Sequence, residues 1–203
     1  SENINAIIEA WEPGSYGGLA VAEIMFGKIN PSGKLPLTVA RSVGQLKMFY
    51  NHKHSMYFRD YAMQTNKPLY SFGFGLSYTK FDISTPKLNS SKFKKGILNV
   101  SVNVKNVGEI AGDEIIQLYI SDKYSSITRP VKELKAYQRV SLKPGESKEI
   151  VFELNKSAFA YYDSEMNYVV EAGDFDILVG NSSRDEDLKN TNFNIEETFY
   201  LRD

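Results

Sequence analysis

Between residues 98 and 105 the apolar residues Leu98, Val100, Val102 and Val104 alternate with the polar residues Asn99, Ser101, Asn103 and Lys105. Successive side chains of an extended chain point to opposite faces, so this stretch reads as a strand with one buried and one wet face. More strand signals follow. Ile115-Ile116-Gln117-Leu118-Tyr119-Ile120 is a more continuously apolar run, and 134–142, Ile150-Val151-Phe152-Glu153-Leu154, Tyr168-Val169-Val170 and Phe175-Asp176-Ile177-Leu178-Val179 come after it. Turn chemistry separates them at Asn106-Val107-Gly108, Lys143-Pro144-Gly145-Glu146, Asp163-Ser164-Glu165 and Ala172-Gly173-Asp174. About seven short strands at this spacing, without a strong helix, predict an antiparallel two-sheet sandwich from about residue 81 onward. Residues 192–201 are expected to add a last strand or to lie as an extended tail.

The chain has no cysteine, and its one tryptophan, Trp11, lies far upstream of the sandwich. The Cys–Trp–Cys core of antibody domains is therefore excluded, and the immunoglobulin-like sandwich is expected to be of the fibronectin type III-like kind. Without thiols there is also no disulfide framework, no thiolate zinc site and no cysteine nucleophile. Lys and Arg number 24 against 25 Asp and Glu, a net charge of −1, so no nucleic-acid partner is expected. No apolar run approaches the roughly 18–20 residues that span a bilayer, so no membrane span is expected.

Residues 1–45 follow other rules. Ile4, Ile7 and Ile8 fall at helical spacing and predict a helix that ends at Trp11-Glu12-Pro13-Gly14. After Gly17 and Gly18, the residues Leu19, Val21, Ala22, Ile24, Met25 and Phe26 predict a second helix with almost no polar face, hence deeply buried. Asn30-Pro31-Ser32-Gly33 makes a turn, and Leu35-Pro36-Leu37-Thr38-Val39 reads as a short strand. Such a piece is expected to be the terminal fragment of an α/β layer, and it cannot form an α/β domain alone, because a lone strand has no sheet to join. The chain opens on Ser1-Glu2-Asn3 inside an apparent helix, so it is expected to belong to something longer. Residues 46–80 are an aromatic-rich connector with little periodicity, in which Gly73 and Gly75 alternate with aromatics and imply a backbone pressed against a partner.

Three ordered blocks carry a resemblance. Ala10-Trp11-Glu12-Pro13-Gly14, the 17–27 stretch and Asn30-Pro31-Ser32-Gly33-Lys34-Leu35-Pro36-Leu37-Thr38 are similar to the end of the α/β sandwich domain of family 3 glycoside hydrolases. Pro68-Leu69-Tyr70-Ser71-Phe72-Gly73-Phe74-Gly75-Leu76-Ser77-Tyr78-Thr79 resembles that family's connector, with Ser71 where the family often has proline. The 112–120 stretch, Arg129-Pro130-Val131-Lys132-Glu133-Leu134-Lys135 and Val179-Gly180-Asn181-Ser182-Ser183 resemble its fibronectin type III-like domain. The resemblance implies a retaining β-glycosidase of the glucosidase or xylosidase type. Such enzymes use a carboxylate nucleophile and a carboxylic acid/base roughly 5–5.5 Å apart. In the family both lie upstream of these blocks, so no residue here inherits a catalytic role. The implied partners are the N-terminal barrel and the remainder of the α/β sandwich domain, with a β-linked glycoside as substrate and no cofactor.

Candidate site residues are few. Tyr57, Arg59, Asp60 and Tyr61 combine rings and charged groups suited to sugar faces and hydroxyls, and are expected near substrate. The alternative is an interdomain strap whose rings simply pack. Trp11 is expected to be a packed structural residue rather than a sugar platform. His52 and His54 lack further ligands for a zinc site and are expected on an exposed loop. Gly27 to Gly33-Lys34 departs from phosphate-loop spacing, and Gly73-Phe74-Gly75 lacks a third glycine, so both are expected to be structural. Asp185-Glu186-Asp187 has no calcium-loop pattern around it and reads as a solvated turn. Asp113 and Glu114, adjacent on a strand, point to opposite faces and cannot flank one glycosidic bond.

The expected architecture is mainly β: residues 1–45 end an α/β sandwich domain, 46–80 connect, and 81–203 form the fibronectin type III-like sandwich. The expected role is domain clamping within the glycosidase. A non-catalytic carbohydrate- or protein-binding sandwich module is the alternative, and an assembly-promoting structural domain is a third. Localisation is open, with a secreted or periplasmic setting favoured over a cytoplasmic one. Asn89, Asn99, Asn155 and Asn181 each begin a glycosylation sequon.

Overall fold

The computed structural model describes residues 3–45, 48–54, 65–93 and 96–201. One α-helix, α1 (Gly17–Met25), precedes the strands β1 (Phe81–Ile83), β2 (Lys87–Leu88), β3 (Ile97–Asn106), β4 (Gly112–Asp122), β5 (Glu133–Leu142) and β6 (Ser147–Asn155). After these come β7 (Tyr161–Tyr162), β8 (Tyr168–Val170), β9 (Gly173–Gly180), β10 (Leu188–Ile195) and β11 (Phe199–Tyr200). In the first sheet β3 pairs antiparallel with β6 along one edge and with β1 and β2 along the other. The second sheet runs β10-β9-β4-β5, and a small third one runs β11-β8-β7.

Strand alternation decides which side chains meet between the sheets. Leu98, Val100, Val102 and Val104 are buried on β3, opposite Ile116, Leu118 and Ile120 of β4 and Phe175, Ile177 and Val179 of β9. Ile150, Phe152 and Leu154 of β6 and Phe193 and Ile195 of β10 complete this core. Each such side chain contributes roughly 1.5–3 kcal/mol by leaving water. Phe159 sits at one end with its ring edge-on to Phe93 and Phe175. The mainly β fold and the buried strand face read from the alternating residues are thus found. The tail splits into two pieces, β10 from Leu188 and β11 at Phe199–Tyr200.

Residues near the start of the chain depart from expectation in three ways. Ile4, Ile7 and Ile8 form no helix and are 61%, 53% and 43% exposed. Among the described residues nothing covers this short apolar stripe, and alone it does not offset the cost of nucleating a helix. The second helix forms as α1, but among its residues only Gly17 is buried. Trp11, expected to be packed, is 56% exposed and has a positive φ of 48°. In both cases no part of the described chain reaches the apolar surface.

The strand at 35–39 finds a partner in the connector. Val39 bridges Tyr70, with the Val39 amide donating to the Tyr70 carbonyl and the Leu69 amide to the Val39 carbonyl. Further along, the Leu35 amide donates to the Phe74 carbonyl and the Gly73 amide to the Leu35 carbonyl. Residues 35–39 and 69–74 therefore form an antiparallel ribbon, and residues 40–68 are an excursion that leaves and rejoins it.

Candidate functional site

The outer face of β4 would meet water in an isolated sandwich, yet Gln117 and Tyr119 on that face are 2% and 0% exposed. The returning connector covers them. Gln117 Nε2 donates to the Gly73 carbonyl (3.1 Å) and the Asn181 carbonyl (2.8 Å), while Oε1 accepts from the Tyr119 hydroxyl (2.5 Å). Burial, together with the nearby Tyr50, pushes the Tyr119 phenol well above its ordinary value, so it stays a donor. The Ser183 amide donates to the Phe72 carbonyl. Gly73 has φ +77°, and a Cβ there would overlap the Gln117 amide. The close backbone approach expected at Gly73 and Gly75 is present, since a Cβ on Gly75 would strike the Gly33 carbonyl.

An ion pair sits beside this contact. Lys34 Nζ lies 2.7 Å from Glu114 Oε1 and donates to the Gly75 carbonyl at 3.0 Å. Glu114 also accepts from Asn181 Nδ2 and from the Ile115 amide, so its charge is satisfied from three directions. Asp113 points the other way and pairs with Arg139, as adjacency on a strand requires. At the hinge, Asn30 Oδ1 accepts from the Ser77 hydroxyl and the Tyr78 amide while its Nδ2 donates to the Ala111 carbonyl. Tyr78 in turn donates to the Ile24 carbonyl of α1 (2.6 Å). The first segment, the connector and the sandwich are thus joined by polar contacts, of which the Lys34–Glu114 pair is the most buried.

Both described arms of the excursion are anchored. Outbound, Tyr50 stacks on Phe72 (4.4 Å) and meets the edge of Tyr119 (5.7 Å), and its hydroxyl accepts from the Leu134 amide. The Val131 amide donates to the His52 carbonyl beside a Lys53–Pro130 bridge. On the return, Gln45 Nε2 donates to the Thr65 carbonyl and Arg41 Nε to the Lys67 carbonyl. Tyr57, Arg59, Asp60 and Tyr61 lie outside the described residues.

An open cavity of about 790 Å³ lies between these arms and the sandwich, with Arg41, Tyr50, His52, Tyr70, Phe74 and Arg184 in its wall. The Arg184 guanidinium stands 4.9 Å from the Phe74 ring centroid. The wall carries the carboxylates Asp176, Asp185 and Glu186, paired respectively with Lys123, Lys132 and Arg184. The described residues contain no group of three or more His, Asp or Glu able to hold a metal ion. Rings and cations in one wall can orient a polar ligand.

The roles of Gln117, Lys34 and Asn30 in these contacts were not foreseen from the sequence, where Lys34 stood only in a glycine decoy. The available signal was Gln117 itself. An amide inside an apolar strand must find partners or cost stability.

Known proteins match this arrangement. Residues 1–78 fit the model of the glycosyl hydrolase family 3 C-terminal domain and residues 114–183 that of the fibronectin type III-like domain. A putative beta-xylosidase of Formosa agariphila is 39% identical over 198 residues, 97% of this chain and 26% of its own length. Thermostable beta-glucosidase B of Acetivibrio thermocellus is 43% identical over 93% of this chain and 27% of its own length. A β-glucosidase structure from Erythrobacter marinus superposes with a TM-score of 0.90 at 43% identity, covering 95% of this chain and 25% of that one. The beta-glucosidase of Listeria innocua in complex with glucose gives 0.87 at 37% identity, covering 95% of this chain and 28% of that one. The chain therefore spans about a quarter of the length of the relatives it matches. The two family models in chain order, with relatives 39% and 43% identical over more than nine tenths of this chain, place it in the C-terminal region of glycosyl hydrolase family 3.

Proposed function

We propose that the chain works as the C-terminal region of a retaining β-glycosidase that removes terminal β-linked glucose or xylose. The nucleophile and the acid/base come from an upstream barrel and the remainder of an α/β sandwich domain. The chain's own part is to close that second domain and hold it to the sandwich. One observation carries this reading: α1 is apolar on nearly every side, yet Leu19 and Met25, and Phe26 at its C-cap, are 57%, 67% and 87% exposed. A helix of that composition belongs inside a layered domain, and the missing layers are what the upstream chain would supply.

The division into 1–45, 46–80 and 81–203 is part of the proposal, supported by the start of β1 at Phe81. Tyr57, Arg59, Asp60 and Tyr61 are proposed to approach the bound sugar. Their support is the chemistry of rings and hydrogen-bonding charges, set between two anchored arms.

Reconstitution tests the reading. The chain alone is expected to release no nitrophenol from aryl β-glucosides or β-xylosides, and co-expression with the upstream polypeptide is expected to restore turnover. Hydrolysis by the chain alone would overturn the proposal.

A further inference from the structure

Resting on the glycosidase reading above, we infer that Gln117 and Tyr119 are positioning residues, which fix the described arms 48–54 and 65–74 against each other and so shape the open cavity that both arms line, where substrate is held. Five residues close a ring of contacts. Gln117 Nε2 donates to Gly73, Phe72 precedes Gly73 and stacks on Tyr50, Tyr50 meets the edge of Tyr119, and the Tyr119 hydroxyl donates back to Gln117. Tyr50 belongs to the outbound arm, Phe72 and Gly73 to the returning one, and both positioning residues to rigid β4.

The chemistry at 117 and 119 is more specific than burial needs. Apolar side chains would also cover the outer face of β4, but would tolerate a sliding connector. The two donor bonds of the Gln117 amide go to two different carbonyls, and its oxygen is taken by Tyr119. Flipping or shifting the amide breaks all three at once, at a residue only 2% exposed. The Asn181 carbonyl on the far side ties the same amide to the segment after β9. The alignment of the arms is therefore written into one strand of the sandwich.

The test uses the parent enzyme carrying its upstream domains. Gln117→Met keeps length and apolar burial while deleting the three bonds; Tyr119→Phe keeps the ring and deletes one. Gln117→Met should raise KM for an aryl β-glycoside about 10-fold, and Tyr119→Phe by less, with kcat within about 2-fold. Hydrogen exchange in peptides covering 48–54 and 65–74 should quicken in the variants, while β3 and β9 stay protected. A lowered kcat with unchanged KM would report lost folded protein and would overturn the proposal, as would unchanged exchange in both arms. Should Gln117→Met fail to fold, Tyr119→Phe carries the same comparison. A parent enzyme that hydrolyses no aryl β-glycoside refutes the glycosidase reading instead, and the exchange measurement then decides the positioning role alone.

Discussion

Lys34 and Glu114 form an ion pair across the junction between the first segment and β4, with side chains only 10% and 5% exposed. Removing one partner strands a buried charge, so Lys34→Met or Glu114→Leu alone should cost about 3 kcal/mol. The double replacement leaves no orphan charge and should recover much of that loss. A double-mutant cycle on urea midpoints measures the coupling, and additive losses would refute it.

Gly73→Ala meets two obstacles at once. The position has φ +77°, and its new methyl would overlap the Gln117 side chain. A destabilisation of about 2–4 kcal/mol is expected, more than a surface Gly→Ala produces. Thermal melting followed by tyrosine fluorescence reads it.

Asn106 is fully buried and acts as a hub at the β3 turn. Its Oδ1 accepts from the Thr79 hydroxyl and the Gly108 amide, and its Nδ2 donates to the Ile110 and Leu142 carbonyls. Asn106→Ala should lower stability by about 2–3 kcal/mol through partners left without bonds. Denaturant titration with an unchanged slope checks that the loss is local.

Asp187 provides a pH test. Burial pushes its carboxyl up, but the fork of Arg184 and the hydroxyl of Ser182 outweigh this and hold it below the ordinary carboxylate value. The unfolded chain then binds the proton more readily, so this contribution is present above about pH 4 and is lost as pH falls through the folded value. Asp187→Asn should give a shallower acid limb in a plot of melting temperature against pH. With the pair partly exposed, its loss near neutrality should be about 1 kcal/mol.

Much of the fold was legible in residue order. The alternation at Leu98 to Lys105 gave the inner face of β3, and the glycines of the connector gave its close approach. The site was far less legible, because its parts are separated by about 40 to 110 positions in the chain. Lys34 meets Gly75 and Glu114, and Gln117 meets Gly73 and Asn181. No local period encodes such meetings.

Composition and spacing by themselves determined that a sandwich forms, which faces of its strands are buried, and that no cysteine chemistry is present. These follow from the two-residue period of strands and from residue type, both local properties. Tertiary structure alone decided that Gln117 and Tyr119 are buried on the outer face of β4 and that residues 35–39 pair with the connector. Each depends on which distant surface arrives, and burial is a property of the pair of surfaces in contact rather than of either sequence.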